Sequence, residues 1–391
     1  MFATLIALVA CQPQVALVEV TRLVEDSPDT AVAQGSPLAV TRIVPQEVTR
    51  VVPQAVAVEI TRPPLGSAAR PVQLLFAPAV DTAIIAGRGE VLAQALATAT
   101  GREYAVGVLD SEERLVELMC AAPADTIGFL SAIAYVLAHE QCGVQAGSVA
   151  VHDDGLTWQT GMVVVRSDSG IDSLEQLAGR RWAIPDTASL SNFLAFQALF
   201  AEAGVAVGEI VETPGNSSAI LAVYNGDVDF ATATYVPPIL PYDERPWRFG
   251  QDSPEMWREL DIAPRRSPLG YVLVNGDPEA GGYRLRDARA AVLDAAPAIY
   301  DETTILALGP PIPNETIGLG ADFPLGLARE IIVALADFAG SEACQASLCS
   351  ADFYGWTGLA PAEDATYESL RSLIETLELS DEETWALARD T

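Results

Sequence analysis

From residue 71 onward, short apolar segments alternate with longer segments of helical periodicity, and this alternation restricts the fold more than any other feature. Residues 72–77 are typical of a buried strand, and residues 81–100 show helical periodicity that ends at Gly101. The same pair of signals recurs to about residue 233. Because strands that alternate with helices favour parallel sheets covered on both faces, we expect an α/β protein with doubly wound sheets. In such sheets, ligands bind at the carboxyl ends of the strands.

Composition excludes several classes of function. The 391 residues carry a formal net charge of −31, which repels nucleic acid and anionic lipid headgroups. The chain has no lysine, so Schiff-base, P-loop and kinase-type lysines are excluded. Its two histidines, His139 and His152, form no cluster with metal-ligand spacing. We therefore predict no metal, no cofactor and no nucleic-acid partner.

The N-terminal segment predicts a lipid anchor followed by a tether. Residues 1–11 form an apolar stretch that ends at Cys11, and this pattern resembles a bacterial lipoprotein signal. The stretch is too short to span a bilayer as a helix, and it lacks the basic residue that normally precedes such a signal. Residues 12–70 repeat Val-Thr-Arg and carry many prolines, which is typical of a semi-extended spacer. We expect Cys11 to carry the lipid.

A hydroxyl-rich turn follows the apolar strand predicted at residues 182–185. Ser189 and Ser191 lie where the next helix begins, and backbone N–H groups at a helix start are unpaired and carry positive charge. Hydroxyl groups beside such N–H groups form a seat for a small oxyanion. An ordinary Ser/Asp N-cap that binds nothing has the same pattern, so the turn alone leaves both interpretations open.

The four cysteines other than Cys11 indicate disulfides. An even number of cysteines in an exported domain favours pairing, and three pairings are possible. We favour Cys120–Cys142, which would tie one helix to the end of the next, and Cys344–Cys349, which would close a short loop. Free buried thiols are the alternative.

Several local patterns, taken in order along the chain, resemble one family of transport proteins. The segments that carry the resemblance lie at residues 129–138, 168–179, 186–192, 224–229, 311–316 and 354–359. Each segment is a weak signal alone, but their shared order is a strong one. Over residues 71–375 the chain resembles the phosphate/phosphite/phosphonate-binding proteins of ABC importers, the phosphonate type of periplasmic binding protein.

The resemblance implies a two-lobed, type II-like periplasmic-binding-protein fold, with two mixed sheets joined by two crossing strands. Lobe 1 would comprise residues 71–158 and 305–391. Lobe 2 would comprise residues 159–304, with an insertion at about 237–286. The lobes would close around a ligand, and this change of shape would let a membrane partner distinguish the loaded receptor from the empty one.

The resemblance also implies a receptor rather than an enzyme. The protein would bind a phosphonate, phosphite or phosphate in the cleft and work as a monomer with an ABC permease, lipid-anchored on the outer face of the cytoplasmic membrane. The residues expected to contact the ligand are Tyr135, Gln159, Thr160, Ser189, Leu190, Ser191, Asn192, Tyr235 and Asp287.

Alternative roles stay open for several of these residues. Tyr135 fits a ligand-facing donor or the hydrophobic core, and Tyr235 fits a wall of the cleft. Asp287 fits an acceptor for a P–OH proton or the cap of the following helix. Trp158 fits the wall of the cleft or ordinary packing.

The chain departs from the family pattern at the ligand positions. Leu190 replaces a threonine, Asn192 replaces a glycine, and Asn216 and Ser217 stand where the family often has a His-Asp pair. A sulfonate, a pyrimidine or an amino-acid-like ligand is therefore an alternative, as is a sensor ectodomain. An extracytoplasmic hydrolase has the least support, because the chain lacks a Gly-x-Ser-x-Gly nucleophile elbow.

Overall fold

The structure, a computed structural model, describes residues 62–78, 80–152, 155–243, 245–274 and 282–390. Cys11 and the greater part of the spacer lie outside these ranges, so the lipid anchor and the tether stay predictions. No helix within the described ranges has the length and apolar character that crossing a membrane requires.

Strands and helices alternate from residue 72, as the sequence predicted. The strands are β1 (Val72–Phe76), β2 (Tyr104–Val108), β3 (Thr126–Leu130), β4 (Gln145–Val151), β5 (Trp158–Arg166), β6 (Trp182–Ile184), β7 (Ile210–Glu212), β8 (Phe230–Tyr235), β9 (Arg265–Arg266), β10 (Val272–Val274), β11 (Tyr283–Leu285), β12 (Thr303–Leu308), β13 (Ile312–Pro313), β14 (Thr316–Leu319) and β15 (Gly358–Pro361). The helices are α1 (Thr82–Thr100), α2 (Glu112–Ala121), α3 (Ala132–Cys142), α4 (Ala195–Glu202), α5 (Asn216–Tyr224), α6 (Arg289–Val292), α7 (Ile299–Glu302), α8 (Leu325–Ala339), α9 (Glu368–Thr376) and α10 (Asp381–Asp390).

The first sheet has the strand order β15-β4-β14-β3-β1-β2. Strands β2, β1 and β3 are parallel, whereas β14 runs antiparallel to both β3 and β4. Strand β3 is buried along its whole length, as its continuous apolar sequence requires. The side chains of Phe76 and Phe129 stack on one face, with ring centroids 4.3 Å apart. This sheet therefore has a core on both of its faces.

The second sheet has the strand order β12-β5-β8-β6-β7, and β13 pairs with the first residues of β5. Strands β8, β6 and β7 are parallel, and β5 runs antiparallel to β8 and β12. Trp182 on β6 is fully buried against Phe193 and Phe230. The sheet is thus mixed, like the first.

The chain passes between the two sheets twice, once from β4 to β5 and once from β12 through β13 to β14. Ile312 of β13 pairs with Gln159 of β5, so the two connections run side by side. Two mixed sheets joined in this way confirm the predicted fold class. The predicted residue boundaries of the lobes stay a prediction.

Both favoured disulfides are present. Cys120 at the end of α2 is joined to Cys142 at the end of α3, and Cys344 is joined to Cys349 across a short loop. Cross-links of this kind restrict the unfolded chain and so stabilise the fold.

The segment predicted as an insertion carries a small sheet and a buried ionic cluster. Strands β9, β10 and β11 form an antiparallel sheet of their own. The fully buried guanidinium of Arg289 donates to Glu255 at 2.6 Å and to Asp287 at 3.0 Å. Burial alone would raise the pKa of Glu255, but Arg289 and Arg258 hold it down at about 2. The cluster ties residue 255 to α6 and fixes the segment against the second sheet.

Candidate functional site

A cavity of about 400 Å³ lies between the two sheets. Its walls come from the start of α3, from the two connecting segments and from the turn before α4, so it lies where β3, β6 and β8 end. Its polar lining residues are Ser131, His152, Gln159, Thr234, Asn314 and Glu315. The position agrees with the rule that ligands bind at the carboxyl ends of strands, and the volume suits a small molecule.

The turn before α4 forms the second-sheet wall of the cavity. Ser189 caps the helix, and its Oγ accepts a hydrogen bond from the Asn192 N–H at 3.2 Å. The first turn, Leu190–Leu194, is π-helical, and the Leu190 side chain lines the cavity. No described residue accepts a hydrogen bond from the backbone N–H of Leu190 or Ser191. Two unpaired donors at the positive end of a helix therefore lie beside the cavity.

Gly161 of β5 allows this turn to sit directly on the second sheet. A Cβ atom at residue 161 would lie 2.6 Å from the carbonyl oxygen of Ser191 and 2.9 Å from Oδ1 of Asn192. Both separations are too short for a carbon–oxygen contact. Any other residue at this position would displace the turn and its two donors.

Thr234, at the end of β8, gathers two amide side chains beside the cavity. Nδ2 of Asn192 and Nδ2 of Asn216 each donate to Thr234 Oγ1 at 3.1 Å. The Thr234 N–H donates in turn to Oδ1 of Asn216 at 3.0 Å. The Thr234 hydroxyl donates to Oδ1 of Asn216 at 3.4 Å, a long hydrogen bond that an acceptor in the cavity could replace. The asparagine that replaces the family's glycine therefore orients a lining hydroxyl.

The start of α3 faces the same cavity, but its donors are already engaged. Ser131 caps α3 through Oγ, which accepts from the Ala134 N–H at 3.1 Å. The Ser131 N–H and hydroxyl both donate to the carboxylate of Glu112, each at 2.6 Å. Burial raises the pKa of Glu112 to about 7. Its hydrogen bonds from Ser131 lower this pKa, whereas the charge of Glu315 raises it further. A carboxylate of the chain itself thus occupies this helix start.

The connecting segments add an acidic and an aromatic wall. His152 Nε2 lies 2.8 Å from Glu315 Oε2, and both residues line the cavity. Trp158 packs against Trp247 and Phe249, with ring centroids 6.4 Å and 5.5 Å apart. None of the lining residues in the described ranges is an arginine. Apart from His152, which is paired with Glu315, the groups that could hold an anion here are neutral donors and helix dipoles, which are strongest where water is excluded.

The structure brings together five of the predicted site residues at this cavity. Gln159 and Leu190 line it. Ser189, Ser191 and Asn192 belong to the turn beside it, and the last two are buried. The side chain of Ser189 is engaged in capping, so the backbone N–H groups rather than the serine hydroxyls are the free donors of the turn.

Tyr135 does not reach the cavity, which corrects its predicted role as a donor across the cleft. It is fully buried, and its hydroxyl donates to Asp364 Oδ1 at 2.9 Å. Its ring packs against Tyr367, with centroids 4.2 Å apart. A buried phenol needs a hydrogen-bond partner, and the C-terminal segment supplies one on the side away from the ligand.

Tyr235 and Thr160 are also engaged within the protein. The hydroxyl of Tyr235 donates to the Pro254 carbonyl at 3.2 Å, and its side chain is buried in the core beneath the insertion. Thr160 is fully buried, and its hydroxyl donates to the Gly309 carbonyl at 2.9 Å. Both predicted ligand contacts are therefore corrected to structural roles.

Asp287 belongs to the buried ionic cluster and not to the cavity. Its Oδ1 accepts from the backbone N–H of Arg289 and from Nε of Arg289, both at 3.0 Å. This is the helix-capping alternative, strengthened by an ion pair. Asp287 is thus not free to accept a ligand proton, and the expectation that it selects a protonated oxyanion is corrected.

Five polar residues that the sequence did not predict also line the cavity, namely Ser131, His152, Thr234, Asn314 and Glu315. Two of them lie in the segment at 311–316, which the resemblance had marked without giving its residues a role. Ser131 and Thr234 lie at the carboxyl ends of predicted strands, so the strand-end rule could have found them. Trp158 fitted either the wall of the cleft or ordinary packing, and the structure shows both: it lines the cavity and packs on the insertion.

Comparison with known proteins finds a family model that matches the middle of the chain. Residues 74–261 match the family model described as "ABC transporter, phosphonate, periplasmic substrate-binding protein". This part of the chain is therefore similar to the phosphonate-binding proteins of ABC transporters. The similarity supports a role as a receptor for a small solute, outside the cytoplasm and with an ABC permease as partner. The matched range contains the α3 start, the turn before α4 and the end of β8.

Two solved structures illustrate what the chain is similar to. XAC2383 from Xanthomonas citri, bound to chloride, is 14% identical, with a TM-score of 0.43, and the match covers 82% of this chain and 99% of that one. PhnD1 from Prochlorococcus marinus, in complex with methylphosphonate, is 13% identical, with a TM-score of 0.39, and the match covers 78% and 98%. No curated protein sequence matches the chain.

Proposed function

We propose that this protein is a lipid-anchored receptor that captures a small phosphorus oxyanion, namely a phosphonate, phosphite or phosphate, for an ABC permease. The family match supports the receptor role. The observation that carries the ligand class is the pair of unpaired N–H groups of Leu190 and Ser191 beside a cavity of about 400 Å³. Binding is followed by delivery and not by chemistry.

The proposed arrangement uses neutral donors throughout. Two oxygens of the phosphorus group accept from the N–H groups of Leu190 and Ser191 at the helix start. A third accepts from the Thr234 hydroxyl, whose long hydrogen bond to Asn216 Oδ1 it replaces, and the Gln159 amide closes the open side. Closure of the lobes then removes water, which strengthens these hydrogen bonds. The carboxylate of Glu315 on the opposite wall disfavours a second negative charge on the ligand.

A panel of ligands tests the class. Titration calorimetry and thermal melting are run with phosphate, phosphite, methylphosphonate, 2-aminoethylphosphonate and a sulfonate. One phosphorus oxyanion should raise the melting temperature strongly, because a ligand that binds only the folded state stabilises it by mass action. Stabilisation by the sulfonate alone, or by none of the five, would rule out the phosphorus ligand.

A zwitterionic, amino-acid-like ligand is the second candidate, because one wall of the cavity is acidic and aromatic. Glu315 and Trp158 line that wall, and Glu112 lies directly behind Ser131. A carboxylate and an indole face are the groups that attract an ammonium. Tighter binding of an amino acid than of any phosphorus compound would favour this candidate over the first.

The anchor and the oligomeric state form a separate part of the proposal. We propose that Cys11 is lipidated, that residues 12–70 hold the receptor off the outer face of the cytoplasmic membrane, and that it acts as a monomer. Mass spectrometry of the mature N-terminal peptide should find a diacylated Cys11, and Cys11→Ser should release the protein from membranes. An intact, unmodified residue 1 in the exported protein would contradict this part.

Lobe closure is also proposed for the predicted units, residues 71–158 with 305–391 and residues 159–304. Small-angle scattering should give a smaller radius of gyration when the ligand identified by the panel is saturating. An unchanged radius with bound ligand would contradict closure.

A further inference from the structure

The insertion adds an aromatic wall to the cavity between the sheets. Trp158, the first residue of β5, lines the cavity and is partly exposed. Phe249 of the insertion stands edge-on to it, with ring centroids 5.5 Å apart and ring planes at 77°. Phe249 is 36% exposed, so two neighbouring aromatic rings keep apolar surface in contact with water beside the cavity. Apolar residues exposed one at a time need no explanation, whereas a shared aromatic surface beside a cavity is typical of a ligand site.

The two rings are held in place from behind. Trp247, also of the insertion, is 6% exposed, and its ring centroid lies 6.4 Å from that of Trp158 and 6.1 Å from that of Phe249. Its Nε1 donates to the Ser253 carbonyl at 3.2 Å, and its ring packs edge-on against that of Tyr235 of β8, 5.6 Å away. A wall fixed before binding loses little conformational entropy when a ligand covers it.

The cavity is larger than a phosphorus group alone requires. The turn before α4 lies on one side of its volume of about 400 Å³, and Trp158 lines another part of the same volume. Cavities of this size hold ligands with a body as well as a head. Methylphosphonate would leave the rings of Trp158 and Phe249 wet. A flat apolar body would cover them, which is favourable in proportion to the area removed from water, and its own ring would add a specific aromatic contact.

We propose that the ligand is a phosphorus oxyanion that carries an aromatic ring, with its oxygens on the N–H groups of Leu190 and Ser191 and its ring against Trp158 and Phe249. This inference rests on the function proposed above and adds to it the chemical class of the ligand body. The insertion then acts as a specificity element, because it supplies Phe249 and holds Trp158. An aryl phosphonate and an aryl phosphate ester share this chemistry, so the experiment includes both.

Titration calorimetry compares phenylphosphonate with methylphosphonate, which has the same head without the ring. Phenylphosphonate should bind about 10- to 100-fold more tightly, because the ring and the wall remove each other's apolar surface from water. Cyclohexylphosphonate offers a similar apolar area without a π face, and its affinity should lie between the two. Phenyl phosphate places an ester oxygen between head and ring, and the tighter of the two phenyl compounds identifies the linkage.

Variants of the wall test whether its rings cause this preference. Trp158→Ala and Phe249→Ala should reduce the ratio of the phenylphosphonate and methylphosphonate affinities by about 10-fold and about 3-fold, respectively, because each removes an aromatic contact with the ligand. The matched control is Leu269→Ala, since Leu269 is 75% exposed on the same insertion and does not line the cavity. Its ratio should equal that of the parent. Thermal melting checks that each variant is folded, and Phe249→Ala keeps the test decisive should Trp158→Ala unfold.

The outcomes separate this inference from the function on which it rests. Equal affinities for phenylphosphonate and methylphosphonate, or a ratio that both wall variants leave unchanged, would overturn the aromatic body and leave the phosphorus oxyanion in place. Tighter binding of 2-aminoethylphosphonate than of phenylphosphonate would do the same. Binding of none of these compounds would overturn both.

Discussion

Two helix starts face the cavity between the sheets, and they differ in what their donors meet. Ser131 caps α3 and Ser189 caps the helix that leads into α4, each by accepting from an N–H three residues on, at 3.1 Å and 3.2 Å. At α3, a carboxylate from α2 fills the anion position. At the other start, the position is open. An N-cap motif therefore does not show whether a helix start can bind a ligand, because a residue far along the chain decides it.

Because of this difference, the two walls of the cavity have opposite electrostatic character. The open start attracts the negative end of a ligand, whereas Glu112 and Glu315 make the opposite wall acidic. A ligand oriented by these two walls needs no arginine. Substitutions that make the two helix starts more alike test whether this difference in charge controls binding.

The largest effect should come from giving the open start a carboxylate of its own. Leu190→Asp places a negative charge beside the free N–H groups of residues 190 and 191. Repulsion at about 4 Å in a partly buried site is worth a few kcal/mol, so methylphosphonate affinity should fall about 100-fold or more. Leu190→Asn loses the same packing without the charge. Equal loss in both variants, measured by calorimetry, would show that charge at this wall does not matter.

Gly161→Ala should displace the open start without changing its charge. The added Cβ would meet the Ser191 carbonyl at 2.6 Å, and overpacking of this kind lowers the free energy of unfolding by about 2 kcal/mol. Ligand affinity should fall as well, since the turn moves. Gly87→Ala, in α1 with open space around it, should instead be neutral or stabilising. Denaturant unfolding measures both, and an unchanged Gly161→Ala protein would contradict the tight packing.

Glu112→Gln should remove the charge from the occupied start. The pKa of Glu112 is raised to about 7, so the folded state binds more protons than the unfolded state between about pH 4.5 and pH 7. The stability due to this group is present at low pH and is lost as pH rises through that window, by about 2 kcal/mol for a partly solvated side chain. The variant should lose this dependence and bind methylphosphonate more tightly at pH 8.

Glu113→Gln is the control, because Glu113 is exposed on the first turn of the same helix. Unfolding free energies of the two variants and the parent are compared from pH 4.5 to pH 8. If Glu112→Gln and Glu113→Gln follow the same curve, Glu112 is not the titrating group at the α3 start.

The smallest effect should come from the serine hydroxyls of the open start. Ser189→Ala removes an N-cap and should cost about 1 kcal/mol of stability. Combining it with Ser191→Ala should weaken methylphosphonate binding only a few-fold, because the backbone donors remain. A loss as large as that of Leu190→Asp would mean that the hydroxyls, and not the N–H groups, hold the ligand.

The sequence predicted the fold well because the signals that set it are local. Strand and helix patterns identified β1 and α1 within a few residues, the Cys120–Cys142 disulfide followed from the helix ends that it joins, and Cys344–Cys349 followed from the short loop that it closes. The turn at residues 186–192 was also found correctly, since a strand followed by a serine-rich helix start is a local pattern. The strand before this turn and the helix after it then place the turn beside the cavity.

The site was predicted less well, because partners distant in sequence decide which groups are free. Tyr135 is taken by Asp364, and Asp287 by Arg289 and Glu255, whereas Glu112 fills the α3 start. A tyrosine or an aspartate has the same appearance in a sequence whether it faces a ligand or an ion pair. The insertion also misled the prediction of the site, because it packs on Tyr235 and its ionic cluster includes Asp287, both of which were predicted to contact the ligand.

The most direct test of the account is a crystal structure of the protein with methylphosphonate bound. We predict phosphonate oxygens within hydrogen-bond distance of the Leu190 and Ser191 N–H groups and of the Thr234 hydroxyl, with Glu112 still on Ser131. A phosphonate seated at the start of α3 with Glu112 displaced, or one lying outside the cavity, would contradict it.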